Sequence, residues 1–138
     1  MAVIRAGEGV VSKTDLRYDQ RGAVVWLYCM STVRRRVVKI GISGNVPHRA
    51  QQLRSDAQQV LRKWFDEPLW KQKVYVVRTW PLDVVTRKEA RAIESVVLGA
   101  LRDVAGDYAG EWFQVDAFKA VATIEAVCGK LGCIARVA

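Results

Sequence analysis

The chain has 138 residues, of which 51% are hydrophobic and 26% are charged. This composition is that of a globular protein and excludes wholesale disorder, and the length suits one domain. The longest apolar stretch, residues 22–30, is strand-sized and too short to cross a membrane. The N-terminus has scattered charges and lacks the apolar segment of a signal peptide. We therefore expect a soluble, cytoplasmic protein.

The chain is strongly basic. Lysine and arginine together number 22, aspartate and glutamate 14, and the net charge is +8. Arginine outnumbers lysine, and a guanidinium group suits bidentate contacts with phosphate. A small domain this basic most often binds a polyanion, usually a nucleic acid. A basic surface that serves only solubility is the alternative.

Cysteine and histidine usage excludes several classes of site. The chain has three cysteines and a single histidine, His48. A single histidine and the absence of a CxxC pair exclude a His/Cys zinc site, and no serine or cysteine stands in the context of a nucleophile elbow. Cys29 and Cys128 fall within apolar patterns, so we expect buried, reduced thiols.

The N-terminal half begins with a polar segment and continues with a hairpin. Residues 1–21 are predicted to form an arm, and residues 22–138 the folded domain. Two β-rich stretches, 23–30 and 37–42, flank STVRRR, which suits a hairpin connection. Both faces of the first stretch are mostly apolar, so this strand should lie centrally and be covered on both sides.

In the next part of the chain, the spacing of apolar residues alternates between that of a helix and that of a strand. Apolar residues at helical spacing predict a helix over 46–65, and a strand follows at 73–80. A second helix is predicted over 87–104. Thr86 and Glu89 form a capping box at its start.

A short extended piece, GEWFQV, precedes a last helix that starts after Asp116 and ends at Gly132. The predicted fold class is α+β: a small three-stranded, largely antiparallel sheet flanked by helices. Its core order is β-β-α-β-α, with an extra C-terminal helix.

Glu94 is the most informative residue of the second helix. On a helical wheel it falls in the middle of the apolar stripe that contains Ala90 and Val97. A carboxylate in an apolar face is costly unless it is paired or coordinates a cation. Glu94 is therefore either a metal ligand or acid/base group, or half of a buried ion pair with Arg49 or Arg78.

Two further side chains have a functional and a structural interpretation. Arg49 borders the apolar stripe of the first helix, so its head could bind phosphate or simply lie at the surface. Tyr28 shares a strand face with Trp26 and Met30, and a buried tyrosine is usually part of the core.

Five segments in order carry a resemblance. They are WLYCM (26–30), KIGIS (39–43), VPHRAQQL (46–53), AIESVVL (92–98) and GEWF (110–113). Together they resemble the GIY-YIG nuclease superfamily. The likeness is closer to the phage and bacterial branch in which the second motif reads KIG and a late GEWF appears.

The resemblance implies a role for each matching residue. Tyr28 would be the general base, Arg49 would contact the scissile phosphate, and Glu94 would hold one divalent cation, Mg²⁺ or Mn²⁺. Lys39 stands in the place of a family tyrosine and joins the predicted catalytic set. Its charge is expected to lower the pKa of Tyr28. Glu111, in the late motif, has no assigned role.

The resemblance implies a metal-dependent DNA endonuclease that hydrolyses phosphodiester bonds. The alternative is a non-catalytic nucleic-acid-binding module on the same fold, which the substitution of the motif tyrosine by Lys39 favours. The expected partner is DNA, or else RNA. We expect the protein to be a monomer or a dimer and to bind no membrane. The residues predicted to face the nucleic acid are Arg34, Arg35, Arg36, Arg54, Arg62 and Lys63.

Overall fold

A computed structural model describes most of the domain, namely residues 24–32, 34–66, 73–82 and 86–132. The predicted arm at 1–21 and Cys133 lie outside the described residues. No helix in these ranges is both long enough and apolar enough to span a membrane.

A single antiparallel sheet forms the centre of the described residues. Its strands are β1 (Trp26–Thr32), β2 (Val37–Ser43), β3 (Tyr75–Pro81), β4 (Tyr108–Ala109) and β5 (Trp112–Phe113). They are arranged in the order β3-β1-β2-β5-β4, and every neighbouring pair is antiparallel. The strand β1 is therefore internal, as its two apolar faces predict.

The α+β class is confirmed, but the prediction of a three-stranded sheet is wrong by two strands. The extended piece that contains GEWF forms β5, which pairs with β2 and, through a tight turn, with β4. Each of the two added strands has only two residues. Such short strands carry no measurable alternation of polar and apolar residues, so pairing is what defines them: β5 with β2, and β4 with β5.

Among the described residues, four helices cover the sheet. They are α1 (Val46–Gln52), α2 (Arg54–Trp64), α3 (Arg87–Val104) and α4 (Ala117–Leu131). The helix predicted over 46–65 is interrupted at Leu53, where ψ is −2°. Hydrogen bonds continue through this point, because the Leu53 N–H donates to Arg49 and the Leu53 carbonyl accepts from Ala57. The interruption is therefore a local irregularity within one helical path.

Capping residues mark the predicted starts of α1 and α3 and the predicted end of α4. The Asn45 side chain accepts from the His48 N–H at 3.2 Å, and Thr86 and Glu89 form the reciprocal capping box. At the other end of the chain, Gly132 adopts a left-handed φ of 63°, which favours glycine, and terminates α4.

The core has two parts, one on each face of the sheet. Leu27 and Cys29 point to the face that α3 and α4 cover, whereas Tyr28 and Met30 point to the face covered by α1 and α2. The expectation that β1 is covered on both sides is thus confirmed. Cys29 and Cys128 are buried thiols, also as predicted.

Candidate active site

A polar cleft opens where β5 stops pairing with β2. In the described residues β5 pairs only with Val38 and Lys39, so the β2 backbone beyond Ile40 has no strand on that side. Side chains from both faces of the sheet meet at this open edge. The cleft has a volume of about 310 Å³ and is lined by Tyr28, Gly41, Ile42, Arg49, Arg87, Arg91, Glu94 and Glu111.

Three of the four residues predicted to be catalytic, Tyr28, Arg49 and Glu94, line this cleft. They come from β1, α1 and α3, so three separate elements have to pack correctly to assemble them. The fourth, Lys39, does not line the cleft but contacts it through Glu111. The structure brings these side chains together, and their chemical roles stay predictions.

Tyr28 lies under the cleft with only 1% of its surface exposed. The Arg49 guanidinium lines the cleft beside it. Burial raises the pKa of Tyr28 above its ordinary value, and the negative charges of Glu111 and Glu94 raise it further. The interaction with the positively charged Arg49 opposes this rise in pKa without cancelling it.

The expectation that Lys39 lowers the pKa of Tyr28 is therefore wrong. That pKa is raised, and the cation that acts on the hydroxyl is Arg49. The register explains why, since Lys39 stands opposite Met30 rather than opposite Tyr28. Its ammonium group points instead to a carboxylate in the turn between β4 and β5.

That carboxylate belongs to Glu111, which forms an ion pair with the Lys39 ammonium group. Lys39 is only 5% exposed and also donates to the Ile40 carbonyl at 3.2 Å. A buried ammonium group is tolerated when it is paired and hydrogen-bonded in this way. The backbone assists the pairing, because the Ile40 N–H donates to the Glu111 carbonyl at 3.1 Å.

Glu94 projects from α3 into the same group of charges. Burial raises the pKa of Glu94 to about 7, and the negative charge of Glu111 contributes in the same direction. A hydrogen bond to Glu111 also favours the protonated form, whereas the positive charges of Lys39 and Arg91 oppose it. Glu94 and Glu111 thus form a close carboxyl pair that resists carrying two negative charges.

The alternative that Glu94 pairs with Arg78 is not what the structure shows. Arg78 forms an ion pair with Glu125 of α4 at 3.4 Å. Within the described ranges, no ion pair joins Glu94 to Arg49, although both line the cleft. The charged partners of Glu94 are Glu111, Lys39 and Arg91.

The carboxyl pair suits a hard divalent cation. Carboxylate oxygens are the protein ligands that Mg²⁺ and Mn²⁺ prefer, and a cation would relieve the repulsion between Glu94 and Glu111. Among the described residues, no cluster of three or more His, Cys, Asp or Glu side chains could hold a metal ion. A cation here would therefore keep most of its water ligands, as Mg²⁺ usually does.

Three charged residues of the cleft have no role in the sequence-based prediction. Glu111 is part of GEWF, but its partner Lys39 is distant in the chain. Arg87 and Arg91 precede Glu94 by seven and three positions on α3, which places the three side chains on adjacent turns of one face. The spacing of Arg87 and Arg91 from Glu94 is the sequence signal that could have identified these two arginines.

The residues predicted to face nucleic acid do not gather around the cleft. Arg34, Arg35 and Arg36 form the turn at the opposite end of the β1–β2 hairpin. Val37, which follows that turn, is four positions from Gly41 along β2, or about 13 Å. The remaining three are exposed along α2, and none of the six lines the cleft. These three are Arg54, Arg62 and Lys63.

The arginine turn is nevertheless an ordered feature. Arg34 and Arg35 have φ values of 55° and 67°, a left-handed conformation that side chains other than glycine rarely adopt. The Arg35 guanidinium lies 5.1 Å from the centre of the Phe118 ring, and that of Arg36 lies 5.9 Å from the centre of the Phe65 ring. Ring contacts on both faces of the sheet therefore hold the turn.

Comparison with known proteins agrees with a nuclease-like assignment at a coarse level. No curated protein and no solved structure matches the chain. The T5orf172 domain, a phage-associated domain found in some endonuclease-like proteins, matches residues 25–128. The match runs from the residue before β1 into α4, includes every residue of the cleft and covers well over half of the chain. The chain therefore belongs to the T5orf172 domain family.

Proposed function

We propose that this protein is a metal-dependent endonuclease that hydrolyses phosphodiester bonds in DNA through a site of the GIY-YIG type. One observation carries the proposal: a single cleft collects a tyrosine hydroxyl, several arginines and a carboxyl pair. Phosphodiester hydrolysis requires groups that act on water, on the phosphate and on the leaving oxygen. The match to the T5orf172 domain supports the same class of activity.

Positive charge in the cleft would bind the scissile phosphate. Arg49 and Arg91 line it from α1 and α3. A guanidinium group can donate two parallel hydrogen bonds to phosphate oxygens. These residues would neutralise charge that builds on the phosphorus oxygens in the transition state.

Tyr28 would act on the attacking water. The positive charge of Arg49 favours the ionised form of its hydroxyl. To act as a base, Tyr28 must first release its own proton to solvent. Its oxygen would then take a proton from the attacking water as the water oxygen bonds to phosphorus, the bond to the leaving oxygen would break, and the leaving oxygen would take a proton from solvent.

Glu94 and Glu111 would hold the divalent cation. Its contribution, when bound, is to stabilise negative charge on the leaving oxygen. We expect the protein to act on DNA in the cytoplasm, the location predicted from the sequence.

A non-catalytic nucleic-acid-binding module is the second candidate. Two observations favour it: the raised pKa of Tyr28, which makes the hydroxyl a poor base at neutral pH, and the net charge of +8. Under this alternative the cleft arginines bind a phosphate without cleaving it. Both candidates predict DNA binding, so cleavage is the property that separates them.

The test is a cleavage assay on plasmid DNA with Mg²⁺ or Mn²⁺. We expect the natural protein to cut and Glu94→Ala not to cut. Glu125→Ala is the matched control, since Glu125 is a carboxylate paired with Arg78 outside the cleft, and it should retain activity. DNA binding without cleavage in any metal would favour the binding module.

A further inference from the structure

We propose that Lys39 is a positioning residue that acts through Glu111, fixing the Glu111 carboxylate beside Glu94 so that both face the divalent cation. The inference rests on the proposed function and deepens it. It removes Lys39 from the groups that would touch the substrate. It also gives Glu111, which the sequence-based prediction leaves without a role, a place in the site.

Lys39 is poorly placed to act on a substrate directly. Its side chain is buried within the sheet, opposite Met30 on β1 and Trp112 on β5, and it does not line the cleft. The ammonium group already has a carboxylate and the Ile40 carbonyl as partners. To reach a phosphate or a water in the cleft, it would have to break an ion pair in a site with little solvent.

Glu111, in contrast, lines the cleft and is bound through both its backbone and its side chain. It occupies the tight turn between β4 and β5, after Gly110, whose φ of 62° permits the reversal. Its backbone carbonyl is bound by the Ile40 N–H and its carboxylate by Lys39. The side chain still reaches the cleft, where it meets Glu94.

The pairing with Lys39 is what allows two carboxyl groups to stay close. Like charges at short distance repel, and the turn that carries Glu111 is exposed on its outer side. Without Lys39, the Glu111 carboxylate would gain by moving into solvent. Glu94 would then lose the neighbour that orients it, and the cation would lose one of its two carboxyl ligands.

If Lys39 acts only through Glu111, substitutions at the two positions must be coupled. The experiment compares the natural protein with Lys39→Met, Glu111→Gln and the double variant. Each is measured by Mn²⁺ binding, by thermal melting without metal, and by cleavage of plasmid DNA. The control cycle uses Arg78→Met and Glu125→Gln, an exposed ion pair outside the cleft.

We expect Lys39→Met to weaken Mn²⁺ binding about 10- to 100-fold, as loss of a residue that orients a metal ligand typically does. Glu111→Gln removes a ligand itself, so it should weaken Mn²⁺ binding at least as much. The double variant should bind Mn²⁺ no more weakly than Glu111→Gln, since Lys39 has nothing left to position. It should also melt at a higher temperature than Glu111→Gln, because no buried ammonium group is left without its carboxylate. The control cycle should change neither Mn²⁺ binding nor cleavage.

The decisive comparison is between Glu111→Gln and the double variant, so it holds even where Lys39→Met alone does not fold. A further loss of Mn²⁺ binding in the double variant would overturn the proposal, because Lys39 would then act independently. Coupled Mn²⁺ binding in a protein that cuts no DNA would support the positioning role while refuting the nuclease. A natural protein that binds no Mn²⁺ would refute both.

Discussion

The ring of Tyr28 lies across the backbone of Gly41, its partner on the neighbouring strand. The two residues are directly opposite in the β1–β2 register. A Cβ atom on residue 41 would fall 3.0 Å from Cε2 of the ring and closer still to Cζ and the hydroxyl oxygen. The absence of a side chain at Gly41 is therefore what allows the hydroxyl to reach the cleft and Arg49.

Gly41→Ala should displace this ring. We expect a loss of about 1–3 kcal/mol in the free energy of unfolding, the usual effect of overpacking a core. The rate of DNA cleavage should fall as well, because the Tyr28 hydroxyl leaves its position beside Arg49. Urea denaturation measures the first effect and a plasmid assay the second.

Gly99→Ala is the matched control. Gly99 lies within α3, and an added Cβ there would meet nothing within 4 Å. Alanine should stabilise the helix by about 0.5–1 kcal/mol. Equal stabilities for the two alanine variants would show that the Tyr28 ring does not depend on Gly41.

Tyr28→Phe removes only the hydroxyl group. The fold should survive with a loss of about 1 kcal/mol, the usual value of one hydrogen bond. Cleavage should drop by orders of magnitude, since no other hydroxyl lines the cleft among the described residues. Tyr75→Phe, at an exposed position on β3, is the control and should cut normally. Unchanged activity in Tyr28→Phe would make Tyr28 a residue of the core alone.

Glu94→Gln should alter how stability depends on pH. The pKa of Glu94 is raised from 4.5 to about 7 in the folded protein. Between these values the folded state holds a proton that the unfolded state has released, so stability without metal falls as pH rises from about 5 to about 7. The loss is on the order of 1 kcal/mol, because solvent screens a half-buried group.

The glutamine variant should lack this pH dependence and melt a few degrees higher than the natural protein at pH 8. Adding Mn²⁺ should raise the melting temperature of the natural protein by mass action but not that of the variant. Thermal melts from pH 5 to pH 8 measure both effects, with Glu125→Gln as the control. A strongly destabilised Glu94→Gln protein would instead indicate that the carboxylate has a structural partner.

Binding to duplex DNA should depend steeply on salt. Each phosphate contact contributes a slope of about −0.9 in a plot of log affinity against log salt concentration. Replacing Arg34, Arg35 and Arg36 together with alanine should make that slope shallower. Two of them also contact aromatic rings, so a stability loss of about 0.5–1 kcal/mol for each accompanies the change.

Arg102→Ala provides a control for the ring contacts. Arg102 also lies over an aromatic ring, that of Tyr108, but outside the predicted DNA-binding set. It should lose a comparable amount of stability without altering the salt slope. Affinity that is flat between low and moderate salt would argue against a nucleic-acid partner.

Features that depend on residues a few positions apart were predictable from the chain alone. The two apolar faces of β1 predict its central place, and Thr86 with Glu89 predict the start of α3. These signals are readable because strand alternation, helical spacing and capping join residues a few positions apart. The same spacing identifies Glu94 as a carboxylate in an apolar stripe. The motifs that resemble the GIY-YIG superfamily lie on the predicted elements in the predicted order.

Which charged side chains meet depends on the fold. Lys39 and Glu111 are 72 positions apart, and no periodicity in the sequence links them. Their contact depends on β5, a strand of two residues that exists because β2 offers it hydrogen-bonding partners. The pKa values of Tyr28 and Glu94 likewise depend on burial and on charges from other elements. Electrostatic interactions act through distance in space, and the fold sets that distance between residues far apart in the chain.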